Sequence, residues 1–200
     1  DCYPYAASSS TLDLKQVTDT YDILITWSEP HPQQGGRLLA DIAADWNVSL
    51  PDAARRLQPA GAVYHCMDEA DVCRILAHPL TMVGSDGLPR DPRPHPRLWG
   101  SFPRVLGHYA RDVGLFPLHT AVHKMTGLPA ARFGLHDRGV LRVGAHADLV
   151  LFDPATVRDV ADFHDPIRPP AGIDAVWIGA RLAYDGRQVV GRHGRFLAPQ

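Results

Sequence analysis

The sequence has few cysteines, no excess of one charge and no long apolar run, and each shortage excludes a class of protein. Three cysteines, Cys2, Cys66 and Cys73, are too few for a disulfide framework, and their odd number favours a reducing compartment, so we expect the cytoplasm. Twenty basic and twenty-two acidic residues give a net charge of -2, which predicts no basic face for nucleic acid or anionic lipid. No apolar stretch approaches the roughly 18 residues of a membrane span, so no membrane partner is expected.

The 200 residues are sufficient for one or two domains with a hydrophobic core. A hydrophobic fraction of 45% and a charged fraction of 21% are ordinary for a globular protein, while 18 prolines and 17 glycines predict many turns. The chain opens with Asp1 and not with methionine, and the run DCYPYAASSSTL is typical of a strand that leaves into a polar loop. We therefore expect a fragment of a longer protein.

Hydrophobic spacing predicts alternating strands and helices in the first part of the chain. The run YDILITWSE (21–29) has the composition of a strand, and GGRLLADIAADWN (35–47) has apolar residues at helical spacing. Pro51 suits the first turn of a second helix. These patterns favour an α/β fold.

The next three runs predict a strand, a helix and a strand in close succession. They are GAVYHCM (61–67), a helical run with Asp68 as its N-cap, and LTMVGSD (80–86). The whole stretch is about 26 residues long, which is the size of a βαβ unit with a right-handed crossover. The spacing therefore predicts that 61–67 and 80–86 are parallel strands.

A long loop and two helices are predicted after this unit. Residues 87–100, GLPRDPRPHPRLWG, contain four prolines and three arginines, which favours an ordered loop or a lid. The helices are predicted over 102–114 and 117–127, the second closed by Gly127.

Toward the end of the chain, apolar residues alternate with turn signals, which predicts antiparallel strands. The segments are VLRVGAHADLVLFDP, DAVWIGARLAYDGRQVVG and RHGRFL. We place an α/β portion at residues 1–138 and a small β portion at residues 139–200. A complete (β/α)8 barrel needs about 250 residues, so if the α/β portion belongs to a barrel, it is the last part of one.

Two residues are candidates for chemistry from their position alone. Asp86 follows directly after a predicted parallel strand, where α/β folds place their sites, although Asp-Gly is also an ordinary turn. Arg97 lies in the loop after it, and its planar fork suits two hydrogen bonds to a carboxylate. A solvated loop arginine is the alternative for Arg97.

Other reactive side chains lack the spacing of a site. His119 and His123 are four residues apart on a predicted helix, but a general base and a third ligand are missing, so we interpret them as an exposed helix face. Cys66 and Cys73 have no second pair for a zinc site, and we interpret both as small buried hydrophobic residues. There is no G-x-S-x-G elbow and no glycine-rich phosphate loop.

Several segments occur together in a characteristic order: DCYPYAASSSTL, GAVYHCMDEADV, MVGSDGLP, HPRLWGSFPRVLGHYAR, KMTGLPAARFGLHDRGVLRVGAHADLVLFDP and AVWIGARL. In this order they resemble the C-terminal part of the N-acyl-D-amino-acid deacylases, or D-aminoacylases, of the amidohydrolase superfamily. The pair SDGLP and HPRLWG is the most specific part of the resemblance.

The resemblance implies the C-terminal strands and helices of a (β/α)8 metal-dependent hydrolase barrel, followed by a small antiparallel β-domain. It implies a zinc-dependent hydrolase that releases a carboxylate and a D-amino acid, with Asp86 as the carboxylate that transfers protons beside the metal. In the family the metal ligands are an H-x-H pair, a cysteine and two later histidines. All of these precede the position that corresponds to Asp1, so we expect no metal ligand in this chain other than a contact from Asp86.

The resemblance also assigns the substrate-binding residues. Tyr3 and Arg97 correspond to residues that hold the substrate carboxylate, and Ser9 is expected in the same subsite. Tyr64 and Met67 fall on the segment that lines the side-chain pocket. The expected partner is a small N-acyl-D-amino acid.

Two alternatives remain open at this stage. The chain could be a non-catalytic fragment that serves as a structural or oligomerisation domain. It could also come from an enzyme that opens cyclic amides, as hydantoinases and dihydroorotases do.

Overall fold

Two antiparallel sheets, separated along the chain by a series of helices, form the computed structural model, which describes residues 1–197. The strands are β1 (Ser8–Thr11), β2 (Ile23–Ser28), β3 (Ala60–Tyr64), β4 (Leu149–Phe152), β5 (Ile173–Ile178) and β6 (Arg181–Tyr184). The helices are α1 (Leu39–Asp45), α2 (Leu50–Leu57), α3 (Glu69–Ala77), α4 (Arg97–Arg104), α5 (Leu118–Met125) and α6 (Gly127–Arg132). No helix among these residues is both long and apolar enough to cross a membrane.

The first sheet has the strand order β1–β3–β2, and both pairings are antiparallel. Helices α1 and α2 pack on it through a core of fully buried residues that includes Ile25, Ile42 and Leu57. The strand predicted over 21–29 and the helix predicted over 35–47 are confirmed by β2 and α1. Helix α2 contains Pro51 in its first turn, as expected.

The predicted pair of parallel strands at 61–67 and 80–86 is wrong. Strand β3 is antiparallel and has a partner on each edge, so it has no free edge for the later segment. The parallel contact of Val83 is instead a bridge to Cys2, in which the Cys2 N–H donates to the Met82 carbonyl (3.0 Å) and the Gly84 N–H donates to the Cys2 carbonyl (3.1 Å). The whole first sheet therefore lies in sequence between the two segments that meet in parallel.

Helix α3 begins as predicted, because the Asp68 side chain accepts the Ala70 N–H at 2.6 Å. After its end, the chain is held by a buried lysine. Lys124 Nζ donates to the carbonyls of His78 (2.5 Å) and Thr81 (3.1 Å), and burial lowers the pKa of this amine. The Val83 N–H donates to the Lys124 carbonyl at 3.2 Å, so one residue of α5 fixes the segment that leads to the SDG motif.

The helices after the proline-rich loop differ in their boundaries from the prediction. Helix α4 already begins at Arg97, inside the predicted loop, and continues past Pro103 into a wider π-helical segment, Val105–Asp112. Proline offers no N–H and crowds the preceding turn, which favours such a widening. Helix α5 ends at Met125, and Gly127 begins α6 and does not close α5.

The second sheet, β4–β5–β6, is antiparallel and confirms the prediction for this part of the chain. One of the turn signals in this segment, Asp185-Gly186, does form a turn after β6, where the Asp185 carboxylate accepts the N–H groups of Arg187 and Gln188 at 2.9 Å. Gly186 has a φ of +85°, which a side chain would disfavour. The strand predicted in RHGRFL is wrong, since residues 192–197 are irregular.

The expectation that Cys66 and Cys73 are buried is also wrong. Cys66 is exposed and Cys73 is half-buried, and both are free thiols, as is Cys2. Cys66 lies two residues after the end of β3, where the chain has left the buried sheet. The apolar residues around a cysteine do not show whether its side chain lies in the core or in solvent once the strand has ended.

Gly107 allows the π-helical segment to contact the chain after β4. A Cβ at this position would overlap the Val157 carbonyl oxygen and lie 3.2 Å from Arg158 Cα. We therefore expect Gly107→Ala to lower the free energy of unfolding by about 1–3 kcal/mol, because backbone must move to admit the methyl group. Urea denaturation measures this, with Gly194→Ala as the control, since nothing lies within 4 Å of a Cβ there. Equal stability of the two variants would contradict the close approach.

Candidate functional site

A buried arginine and an exposed aspartate form the centre of the site. Arg97 begins α4, and its side chain is 2% exposed, whereas the side chain of Asp86 is 66% exposed. Arg97 Nη2 lies 2.9 Å from Asp86 Oδ2. Asp86 has a φ of +46°, and Gly87 packs so tightly that a Cβ would lie 2.8 Å from Leu98 Cα. The turn after Val83 is thus pressed against the first turn of α4, which brings the two charges together.

Tyr3 and Ser9 complete the surroundings of the guanidinium. The Arg97 guanidinium carbon lies 4.5 Å from the centre of the Tyr3 ring, a cation–π contact. Arg97 Nη2 also donates to the Ser9 carbonyl at 3.5 Å. The Tyr3 hydroxyl points toward Met67 Sδ, 4.0 Å away. Burial raises the pKa of Tyr3, so this hydroxyl is a neutral donor at neutral pH.

A cleft of about 640 Å³ lies beside this cluster. Its walls come from the start of the chain, the segment after β3, helix α3 and the SDG motif. Tyr3, Met67 and Asp86 line it together with Asp1, Cys2, Tyr5, Cys66, Asp68, Asp71, Val72 and Ile75. The cleft combines an apolar wall with carboxylates, which is the composition of a small-molecule site.

His95 is a site residue that the sequence analysis did not single out. It is 4% exposed, its Nδ1 accepts the Arg97 N–H at 3.0 Å, and its Nε2 lies 3.1 Å from the Ala7 carbonyl oxygen. Burial, followed by the charge of Arg97, lowers the pKa of His95 to about 3. The side chain is therefore neutral at neutral pH. Its sequence signal is that it opens the HPRLWG motif, two residues before Arg97, and this does not reveal burial.

A second arginine of α4 fixes the YPY segment. Arg104 Nε donates to the Pro4 carbonyl at 2.9 Å, and its Nη1 donates to Asp159 at 3.1 Å. The Arg104 guanidinium carbon lies 5.0 Å from the centre of the Tyr5 ring. The segment that carries Tyr3 is therefore held against α4 at two points, by Arg97 and by Arg104.

The structure brings together four of the six predicted site residues by their side chains, namely Asp86, Arg97, Tyr3 and Met67. Ser9 reaches Arg97 through its carbonyl oxygen. Tyr64 does not line the cleft: its side chain lies fully buried in the core of the first sheet, and its hydroxyl accepts the Asp13 N–H at 2.8 Å and donates to the Thr11 carbonyl at 3.3 Å. A tyrosine on a central strand is taken up by the sheet core when backbone groups are within reach of its hydroxyl.

The described residues do not form a metal site by themselves. Among residues 1–197 there is no group of three or more His, Cys, Asp or Glu side chains that could hold a metal ion. His119 and His123 lie on an exposed face of α5, which confirms the interpretation from their spacing. Asp86 offers a single exposed carboxylate, whereas a zinc site needs three or more protein ligands.

Comparison with known proteins identifies relatives of the whole chain. Residues 3–184 match the model of the amidohydrolase family. A D-aminoacylase from Alcaligenes xylosoxydans xylosoxydans is 56% identical over 99% of this chain and 41% of its own length. The chain thus spans about two fifths of that relative.

Two solved structures share the fold. A crystal structure of D-aminoacylase matches with a TM-score of 0.92 and 55% identity, over 96% of this chain and 41% of that one. The N-acyl-D-glutamate deacylase of Bordetella bronchiseptica matches with a TM-score of 0.88 and 53% identity, over 92% of this chain and 40% of that one. That structure contains zinc and a phosphonate inhibitor that mimics the tetrahedral intermediate of the reaction.

The buried His95 makes stability depend on pH. Its pKa falls from 6.5 to about 3 on folding, so between these values the unfolded chain binds a proton that the folded chain does not, and stability falls as the pH falls. From about pH 7 to about pH 5 we expect a loss of about 2 kcal/mol through this group. Urea denaturation at both pH values should show a correspondingly smaller loss in His95→Asn. An equally steep loss in that variant would contradict a neutral, buried His95.

Proposed function

This chain belongs to the amidohydrolase family, and from that premise we propose that the protein it is part of is a zinc-dependent N-acyl-D-amino-acid deacylase. The reaction is hydrolysis of a linear amide to a carboxylate and a D-amino acid. The observation that carries the proposal is the buried Arg97 guanidinium, which faces the exposed Asp86 carboxylate at 2.9 Å beside an open cleft. The names of the relatives support this substrate class.

Arg97 and Tyr3 are suited to hold the α-carboxylate of the substrate. Besides its contacts to Asp86 and Ser9, the guanidinium has a buried Nε without a hydrogen-bond partner among residues 1–197. An unpaired buried donor is destabilising, so the guanidinium keeps hydrogen-bonding capacity that a substrate carboxylate is suited to use. The Tyr3 hydroxyl adds a neutral donor on the cleft side. When the carboxylate is held at one fixed point, the remaining groups of the D and L enantiomers point in different directions, so the cleft can distinguish them.

Asp86 is suited to transfer the proton. Its carboxylate is exposed, and it is oriented by Arg97, so it can reach a substrate that Arg97 holds. It accepts a proton from the attacking water and delivers it to the leaving amine nitrogen, acting first as general base and then as general acid. Met67, 38% exposed, offers an adaptable apolar contact to the side chain of the substrate.

The relatives support a role for zinc, whereas the ligands within this chain do not by themselves do so. A bound zinc lowers the pKa of a water molecule and polarises a carbonyl. Since residues 1–197 hold no complete ligand set, we propose that the rest of the longer protein supplies the ligands and that Asp86 contacts the metal. Residues 1–138 would then complete a (β/α)8 barrel, which the parallel Cys2–Val83 bridge supports, and residues 139–200 would belong to a small β-domain. The three free thiols support a cytoplasmic location.

A substrate panel separates this proposal from its alternatives. The longer, zinc-loaded protein is expected to hydrolyse N-acetyl-D-methionine and to leave N-acetyl-L-methionine and a hydantoin intact. Hydrolysis of the hydantoin alone would favour a cyclic amidohydrolase. No hydrolysis of any of the three by a protein that binds zinc would favour a structural role.

Replacement of Asp86 tests its proposed proton transfer. Asp86→Asn keeps the size of the side chain but cannot accept a proton, so we expect turnover to fall about 100-fold or more. The zinc content, measured by elemental analysis, should equal that of the unsubstituted protein. Asp45→Asn is the matched control, because Asp45 also pairs with an arginine, Arg37 at 2.7 Å, but on the exposed surface of α1. Near-normal turnover of Asp86→Asn would show that Asp86 only forms the turn and does not transfer the proton.

Replacement of Arg97 tests the carboxylate contact. Lysine keeps the charge but not the planar fork. A charge-assisted hydrogen bond contributes about 1.5–3 kcal/mol, so Arg97→Lys should lower kcat/KM roughly 10–150-fold for an N-acyl-D-amino acid. The corresponding amide, which has no carboxylate, should be a poor substrate of both proteins and should distinguish them little.

The control for this substitution is Arg55→Lys, which changes an exposed arginine of α2 that pairs with Asp52. It should leave both substrates unaffected. Equal losses on the acid and the amide in Arg97→Lys would show that Arg97 does not bind the carboxylate and only holds the loop before α4 in place.

A further inference from the structure

His95 connects two segments that belong to different secondary-structure elements. Its Nδ1 accepts the N–H of Arg97 at 3.0 Å, and its Nε2 lies 3.1 Å from the carbonyl oxygen of Ala7. Arg97 is the first residue of α4, and Ala7 directly precedes β1. The imidazole therefore connects the helix that bears the guanidinium with the N-terminal segment that bears Tyr3 and leads into Ser9 of β1.

The two partners determine the tautomer of the ring. A backbone N–H can only donate, so Nδ1 must carry a lone pair, and a carbonyl oxygen can only accept, so Nε2 must carry the hydrogen. A neutral imidazole has one nitrogen of each kind. The Nε2–H tautomer is hence the only form of His95 that satisfies both contacts, and neither the other tautomer nor the imidazolium can accept from Arg97.

The Arg97 N–H needs such an acceptor. The first N–H groups of an α-helix have no partner within the helix, and the residue before Arg97 is Pro96, which makes no side-chain hydrogen bond to the helix start. The imidazole takes the place of an N-cap side chain. It thereby fixes where the helix begins and where the Cα of Arg97 lies.

Aromatic rings restrict the imidazole on three sides. The ring centroids of Tyr5 and Phe163 lie 5.2 and 5.0 Å from that of His95, both nearly perpendicular to it, and Tyr3 lies at 6.2 Å. Only 4% of the residue is exposed, so the ring is surrounded by protein groups and not by water. One of these rings, Tyr3, also stacks on the Arg97 guanidinium at 4.5 Å.

We propose that His95, as the neutral Nε2–H tautomer, is the positioning residue that sets Arg97 against Tyr3 and Ser9 for the capture of the substrate carboxylate. It acts through the backbone of Arg97 and does not touch the substrate. This inference rests on the proposed function, because it assigns a carboxylate to Arg97.

Two variants separate the two hydrogen bonds. In His95→Asn, the amide oxygen can replace Nδ1 as acceptor for Arg97, while the contact to Ala7 is lost. In His95→Gln, the amide nitrogen can replace Nε2 as donor to Ala7, while the acceptor for Arg97 is lost. His65→Asn is the matched control, since His65 packs on the same Phe163 ring at 4.7 Å and makes no contact to Arg97.

Steady-state kinetics of the longer, zinc-loaded protein provide the first readout. For an N-acyl-D-amino acid, His95→Gln is expected to raise KM about 10-fold or more with kcat changed by less than about 3-fold, and His95→Asn to raise KM by about 3-fold or less. With the amide substrate, the KM and kcat of both His95 variants should be similar to those of His65→Asn. Equal losses in both His95 variants, on acid and amide alike, would overturn the proposal, because the ring would then only fill space.

The second readout does not depend on activity. Long-range ¹⁵N correlation spectra of histidine-labelled protein distinguish Nδ1–H, Nε2–H and imidazolium rings, and the His95 signal is the one missing in His95→Gln. An Nε2–H ring at neutral pH is expected. An Nδ1–H ring or an imidazolium would overturn the proposal even in an active enzyme, whereas an Nε2–H ring in a protein without deacylase activity would refute the proposed substrate and leave the placement of Arg97 by His95 supported.

Discussion

The burial of the Arg97 guanidinium is the constraint on which the rest of the site depends. A charged side chain that is 2% exposed is strongly destabilising unless its charge and its donors are matched. The matching groups are the Asp86 carboxylate, the Tyr3 ring and the Ser9 carbonyl. They come from distant parts of the sequence, so the chain must bring its first residues, the SDG turn and the first turn of α4 to one point.

Several of the segments that meet there are irregular, and nitrogen donors of three side chains bind their backbone carbonyls; Lys124 and His95 are buried and Arg104 is half-buried. Lys124 binds the carbonyls of the turn before Val83, Arg104 binds the carbonyl of Pro4, and His95 binds that of Ala7. Carbonyl groups buried outside sheets and helices need partners, and long side chains from neighbouring helices can provide them. The same helices that carry Arg97 and Lys124 thus also place the residues around the cleft.

The first sheet stands apart from this arrangement in sequence, although one of its faces packs against Phe163 beside His95. It lies between Cys2 and Val83, which meet in parallel, and it has its own core with α1 and α2. Its contribution to the site is made at its borders, through the Ser9 carbonyl and through Met67 after β3. This explains why Tyr64, a residue of the central strand, belongs to the sheet core, whereas Met67, three residues later, reaches the cleft.

Local patterns in the sequence were sufficient for much of the fold. Apolar spacing predicted β2, α1 and the antiparallel second sheet. Pro51 and Asp68 identified the starts of α2 and α3, because periodicity and helix-start signals depend on residues close together in the chain. The family resemblance indicated Asp86, Arg97, Tyr3 and Met67. The structure places Asp86, Tyr3 and Met67 in the lining of one cleft and the buried Arg97 against Asp86.

Only the tertiary structure decided which segments become partners. The pairing of Val83 with Cys2 and the two-sided pairing of β3 are contacts over long separations, and nothing in the composition of a strand specifies its neighbour. Long-range packing also explains why His95 and Lys124 are buried and why Cys66 is exposed. It likewise explains why Tyr64 lies in the sheet core and not in the cleft. A side chain's surroundings are set by elements that arrive from elsewhere in the chain, so its charge state and its contacts follow from packing and not from its neighbours in sequence.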